Sequence, residues 1–157
     1  MADSGKNIVL FGASVAAISF LEKLVELRPS DKIIVLSSPE DPWELPFFNA
    51  IKDLAVSSGN EFHSVKSIGP RKWNELLDGR EVDLLFALGW RYLIPRSVYE
   101  TTKMASVVFH DSLLPEYRGF APSNWAIING DTETGVTMFL MSETVDSGPI
   151  IEQVVIE

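Results

Sequence analysis

Three stretches of this chain are apolar at nearly every consecutive position, and they constrain the fold more than any other feature. They are Asn7 to Phe11 (NIVLF), Lys32 to Leu36 (KIIVL) and Val82 to Leu88 (VDLLFAL). A strand with one wet face alternates apolar and polar residues, whereas a parallel strand covered on both faces does not. Between the first two runs, Val15 to Leu27 carries Ile18, Leu21, Leu24 and Val25 at helical spacing, and Pro29 stops it. Strand, helix and strand in that order predict a right-handed crossover and a parallel sheet. Ser106 to Phe109 (SVVF) predicts a fourth strand, with His110 at its carboxyl end.

Shorter elements fill the gaps. Ser37 to Phe48 holds three prolines and reads as a loop or the start of a short helix. The pattern predicts helices over Asn49 to Ser57, Trp73 to Leu77 and Pro95 to Tyr99, and a short strand over Phe62 to Val65. Ser123 to Ile128 predicts a helix capped by Ser123 and stopped by Asn129-Gly130. Gly135 to Met141 alternates, with Val136, Met138 and Leu140 on one face, and Ile150 to Ile156 alternates less cleanly. Those two runs predict an antiparallel pair. The fold class expected is α/β, a mostly parallel sheet with antiparallel edge strands.

Composition narrows the function classes. The 157 residues suit one domain with a single core. The net charge of -9 leaves no excess of Lys and Arg to face phosphates, so nonspecific nucleic-acid binding is disfavoured. A tRNA substrate stays open, because a second domain could supply those contacts. There is no cysteine, which removes disulfides, thiolate nucleophiles and cysteine metal sites together. With only His63 and His110 as histidines, no metal site is expected. The N-terminus lacks the flanks of a signal peptide, and no window reaches the ~18 apolar residues of a membrane helix. The expectations are a cytoplasmic location and no membrane contact.

In open sheets of this kind ligands sit outside the carboxyl ends of the strands, where Gly12, Gly89 and His110 fall. That predicts one cleft. A histidine at a strand end ordinarily just bonds to backbone. His110, however, opens a loop of fixed backbone and polar tips: Ser112, Pro115, Tyr117, Arg118, Gly119 and Pro122. Asp146, before the Ser147-Gly148 turn, could orient the imidazole from the same cleft. Gly12-Ala13-Ser14 follows the first strand but lacks the second glycine of a dinucleotide fingerprint, and no acidic residue ends the second strand. A nicotinamide cofactor is disfavoured, while an anion at the helix N-terminus fits. Trp90, Tyr92 and Ile94 follow the third strand and read either as core or as a wall for a flat ring.

The ordered set HDSLLPEYRGFAPSNWAIINGD, ETGVT, a following Met and DSG resembles the N10-formyltetrahydrofolate-dependent formyltransferase family. The likeness runs nearly the whole chain, from FGAS through GWRYLIP to DSGPII. It implies a Rossmann-like fold with helices on both faces, 10-formyltetrahydrofolate as formyl donor and a primary amine as acceptor. It assigns His110 to stabilising the oxyanion, and Asp146 to tuning His110 and relaying a proton through water. The pterin would lie against Trp90, Tyr92 and Ile94 and the backbone of Ser142, Glu143, Thr144 and Val145. The amine would enter beside Gly12, Ser14 and Tyr117.

Two departures stand out. The family pattern is Asn-x-His, and this chain has Val108, which cannot donate a hydrogen bond. Either Asn124 or Asn129 substitutes, or turnover is slow, or the chain binds folate or amine without turnover. Family domains also continue past the DSG strand. The expectation is therefore a catalytic domain over residues 1–157, truncated at its C-terminus, whose end a partner or a second copy (a homodimer) would cover. The wording WAIINGD and RGFAP favours an amino-sugar nucleotide as acceptor. The alternatives are methionyl-tRNA and plain hydrolysis of the donor.

Overall fold

A computed structural model describes residues 5–157. In chain order the elements are β1 (Asn7–Gly12), α1 (Val15–Leu27), β2 (Lys32–Ser37), α2 (Phe48–Ser57), β3 (Glu61–Ser64), α3 (Pro70–Leu77), β4 (Leu84–Leu88), α4 (Arg96–Tyr99), β5 (Ala105–His110), α5 (Pro122–Asn129), β6 (Thr134–Leu140) and β7 (Ile150–Ile156). The chain forms two compact units that divide after Ala105.

In the first unit β1 lies between β2 and β4, with β3 outside β2, and every pairing is parallel. The continuous apolar runs are the centre of it: Ile8, Val9, Leu10 and Phe11 are buried in succession, as are Ile33 to Leu36. Burial of consecutive residues requires cover on both faces, which is what the run pattern predicts. Ser14 caps α1, its hydroxyl accepting from the Ala17 N–H at 3.3 Å. Asp31 ties the start of this unit together. Its carboxylate accepts from the Lys6 N–H at 2.9 Å and from the Arg28 guanidinium at 2.9 and 3.2 Å. Burial pushes this carboxyl up, but the bonds from Arg28 and Lys6 and their positive charges outweigh it, so it titrates below the ordinary 3.8. A lowered folded pKa means the stabilisation is present above the unfolded value and fades as the pH falls through the folded one. Asp31→Asn is accordingly expected to lower the urea midpoint at neutral pH and to converge on the parent in acid. An equal deficit at both pH values would refute this.

Several boundaries differ from the sequence expectation for identifiable reasons. The third run starts as a strand only at Leu84, because Asp83 turns its carboxylate onto the Asn7 N–H at 2.8 Å. Helix α3 begins earlier, at Pro70, where a missing N–H costs nothing.

In the second unit β6 pairs antiparallel with both β5 and β7. Strand β6 alternates as expected, with Val136, Met138 and Leu140 sharing one face. Gly135, Thr137 and Phe139 are the buried positions, and Val136, Met138 and Leu140 are half-exposed. Gly135 is needed for close approach, since a Cβ there would lie 2.4 Å from a Leu113 methyl carbon. Ser123 does not cap α5. Ala121, at φ 55°, occupies that place, and Pro122 takes the first helical position. Strand β7 keeps Ile150, Ile151, Val154, Val155 and Ile156 roughly half exposed. No helix among the described residues is long and apolar enough to cross a membrane.

Candidate active site

Strand β5 ends on His110, and the second unit folds two loops onto that ring. The imidazole Nε2 lies 2.8 Å from the Tyr117 carbonyl oxygen. Its Nδ1 faces the Asp146 carboxylate, 3.6 Å from Oδ2. That distance is an ion-pair separation rather than a hydrogen bond. The same Oδ2 accepts from the Gly119 N–H at 2.8 Å. The two side chains are 9% and 14% exposed, so their interaction is only weakly screened by water.

The framework behind His110 is a hub of hydrogen bonds on Thr137, which is fully buried. Its hydroxyl donates to the Ser112 carbonyl at 2.6 Å and accepts from the Leu114 N–H at 3.0 Å and from Gln153 Nε2 at 2.9 Å. Gln153 also donates to the Leu114 carbonyl, and the buried Ser112 hydroxyl donates to Glu116. The Leu114–Pro115 peptide is cis. Sequence reasoning singled out Ser112 but passed over Thr137 and Gln153. Their signal is three-dimensional, since Thr137 sits 25 residues from Ser112.

Asp146 is positioned by its own turn and by the glycine after it. It holds a left-handed backbone, φ 49°, which aspartate tolerates better than most residues. The Ser142 and Ser147 hydroxyls both donate to the Thr144 carbonyl at 2.8 Å and lie 3.1 Å apart. A Cβ on Gly148 would fall 1.8 Å from the Leu140 carbonyl oxygen, so only glycine fits. The expected pterin contacts Ser142 to Val145 thus form a compact, self-bonded turn beside Asp146.

Val108 is half-buried and pairs with Phe139 across β5 and β6. Two residues apart on a strand, Val108 and His110 share a face. Where the family pattern puts an amide, this chain has an apolar spot. Asn129 gives a side-chain N–H to the Tyr117 phenol at 2.9 Å. Asn124 is exposed on α5.

The remaining expected contacts belong to the first unit. Gly12 is buried, and a Cβ there would press on Ala17 at 2.9 Å. Gly89, at φ 60°, meets Ser14, which spends its hydroxyl on the α1 cap. Trp90 packs edge-on against Phe11 (5.1 Å) and Tyr92 (5.5 Å), with Ile94 half-buried beyond them. Trp90 and Tyr92 are half-buried, packed against Phe11 and each other. Sequence reasoning missed Arg91. It bonds Glu44 at 2.7 Å and Asp41 at 3.0 Å, and that bond holds the Glu44 carboxyl below its ordinary range. The prolines of that loop are thereby fixed to the segment after β4.

With this geometry in hand, comparison with known proteins is decisive at the level of family. The family model described as formyl transferase matches residues 7–157. The chain belongs to the formyl transferase family. Methionyl-tRNA formyltransferase from Parabacteroides distasonis is 35% identical over 151 residues, covering 94% of this chain and 46% of that protein. The chain spans about half the length of the curated relatives it matches. Among solved structures, glycinamide ribonucleotide transformylase 1 from Symbiobacterium toebii superposes with a TM-score of 0.77 at 20% identity, over 98% of this chain and 74% of that one. A formyltetrahydrofolate deformylase from Pseudomonas syringae superposes at 0.76 and 18% identity, over 98% and 52%. At these identities the structures speak for the fold alone, the Rossmann-like formyltransferase fold.

Proposed function

We propose that this formyl transferase domain moves the formyl group of 10-formyltetrahydrofolate to a primary amine. The observation that carries the reading is the facing of His110 and Asp146 across 3.6 Å, with the ring held by the Tyr117 carbonyl and the carboxylate by the Gly119 N–H. Attack of an amine on a formyl carbon develops negative charge on oxygen and leaves a proton to be removed. His110 is the group suited to the charge, and Asp146 the group suited to orienting the ring and passing the proton to water. In the second unit the turn 142–147 offers backbone polar groups of the kind a pterin requires.

For the acceptor we favour an amino-sugar nucleotide. The charge of -9 supports a small substrate over a polyanion. The 35% identity to a methionyl-tRNA formyltransferase favours the other acceptor class, and both belong in one assay. The test follows tetrahydrofolate release by absorbance, with amino-sugar nucleotides, with methionyl-tRNA and with no amine. Release that depends on an amine is expected. Release without one would replace transfer by hydrolysis, and tight folate binding without release would make the domain a binder.

Val108 sets the expected rate. Loss of one oxyanion donor typically costs ~10²–10³ in rate, or ~2.7–4 kcal/mol. Val108→Asn is therefore expected to raise the amine-dependent rate by about 10²-fold. An unchanged rate in a folded variant would mean that another group already donates.

A further inference from the structure

We propose that Tyr117 is a positioning residue for His110, acting through its backbone carbonyl on the ring and through its phenol on the end of α5. A carbonyl oxygen only accepts, so the 2.8 Å contact requires the proton on Nε2. That leaves Nδ1 as the nitrogen turned to Asp146. Two residues on, the Gly119 N–H holds the other partner by Oδ2. One short piece of backbone therefore grips the imidazole with a carbonyl and the carboxylate with an amide.

That backbone does not adopt its shape cheaply. Tyr117, Gly119 and Ala121 all lie at positive φ, 53°, 96° and 55°. For a tyrosine this region is strained and persists only where surrounding contacts enforce it. The phenol supplies those contacts. It donates to the Asp131 carboxylate and accepts from the Asn129 amide at 2.9 Å. The amide pulls the phenol pKa down, but the Asp131 acceptor, partial desolvation and the charges of Asp131 and Glu116 push it up further. The net shift is above the ordinary 10.0, so the hydroxyl stays a donor. Asp131 is itself fixed, its N–H bonded to the Ala126 carbonyl at 3.0 Å. The line of force runs from the end of α5 through the phenol ring to the carbonyl and so to Nε2.

The value of this arrangement for turnover rests on the formyl-transfer reading, but the hydrogen bond itself can be tested without substrate. In the ¹⁵N-labelled protein an exposed imidazole N–H exchanges too fast to be seen, whereas one held by a carbonyl gives a cross-peak. A His63→Gln protein assigns the signal to His110. The parent is expected to show the Nε2–H peak, and Tyr117→Phe and Asp131→Ala to lose it at an unchanged melting temperature. Asp131→Asn, which keeps an acceptor for the phenol, is expected to restore it. In the release assay the peak-losing variants are expected to lose up to about 10²-fold in kcat with KM little changed, the usual scale for a misplaced group. A missing peak in the parent, or a peak that survives Tyr117→Phe, would overturn the proposal. Peaks that behave as stated in a protein that never transfers formyl would sink the transfer reading and leave this one standing.

Discussion

His110→Ala is expected to lower amine-dependent tetrahydrofolate release by about 10²–10⁴-fold, the range that positioned proton-transfer groups contribute. The sequence has one other histidine, His63, which lies on β3 in the first unit. The variant also strands the Tyr117 carbonyl, which loses its Nε2–H partner. An unsatisfied, partly buried acceptor costs about 1–3 kcal/mol, so the urea midpoint must be measured alongside the rate. Asp146→Asn separates the effects further, because it keeps the shape and an acceptor for Gly119 while removing the charge that faces Nδ1. A folded His110→Ala protein within threefold of the parent rate would remove His110 from the chemistry.

Trp73→Ala is expected to destabilise the first unit by about 3–5 kcal/mol, the cost of emptying a large aromatic site. Trp73 is 1% exposed and stacks on Phe11 with centroids 6.3 Å apart and planes 22° apart. Its indole N–H donates to the Thr101 hydroxyl at 3.0 Å. The alanine variant therefore loses apolar burial and leaves Thr101 without its donor. Phe11 also carries Trp90, so the hollow would loosen the aromatic set that follows β4. Urea denaturation followed by circular dichroism measures the loss. A change under about 1 kcal/mol would refute this packing role, since it falls well below the range for such sites.

What could be read from the residues, and what could not, divides along a physical line. Runs such as NIVLF and KIIVL announce buried parallel strands because the signal is local and repeated. His110 and Asp146 were legible from the ordered motif around them, and their facing is what the second unit displays. Thr137, Gln153 and Arg91 were not. Each acts through bonds to residues far away in sequence, and no spacing rule reports such bonds. The alternation of β6 is a local signal, but which of its faces lies inward is not. Gly135 and Thr137 are buried there for close approach and hydrogen bonding, which hydrophobicity does not register. Ser123 was read as a cap by residue type, whereas Pro122 already fixes the helix start one residue earlier.

The pairing of β5 with β6 sets Val107 against Leu140, Phe109 against Met138 and His110 against Thr137. Neighbouring side chains on a strand point to opposite sides, so sliding β5 by a single position would present the benzene ring of Phe109 where the imidazole now stands. A one-codon insertion or deletion between Ala105 and His110 would thus leave the composition almost intact and erase the reactive group from its place. The number of residues in this strand is therefore fixed by its register.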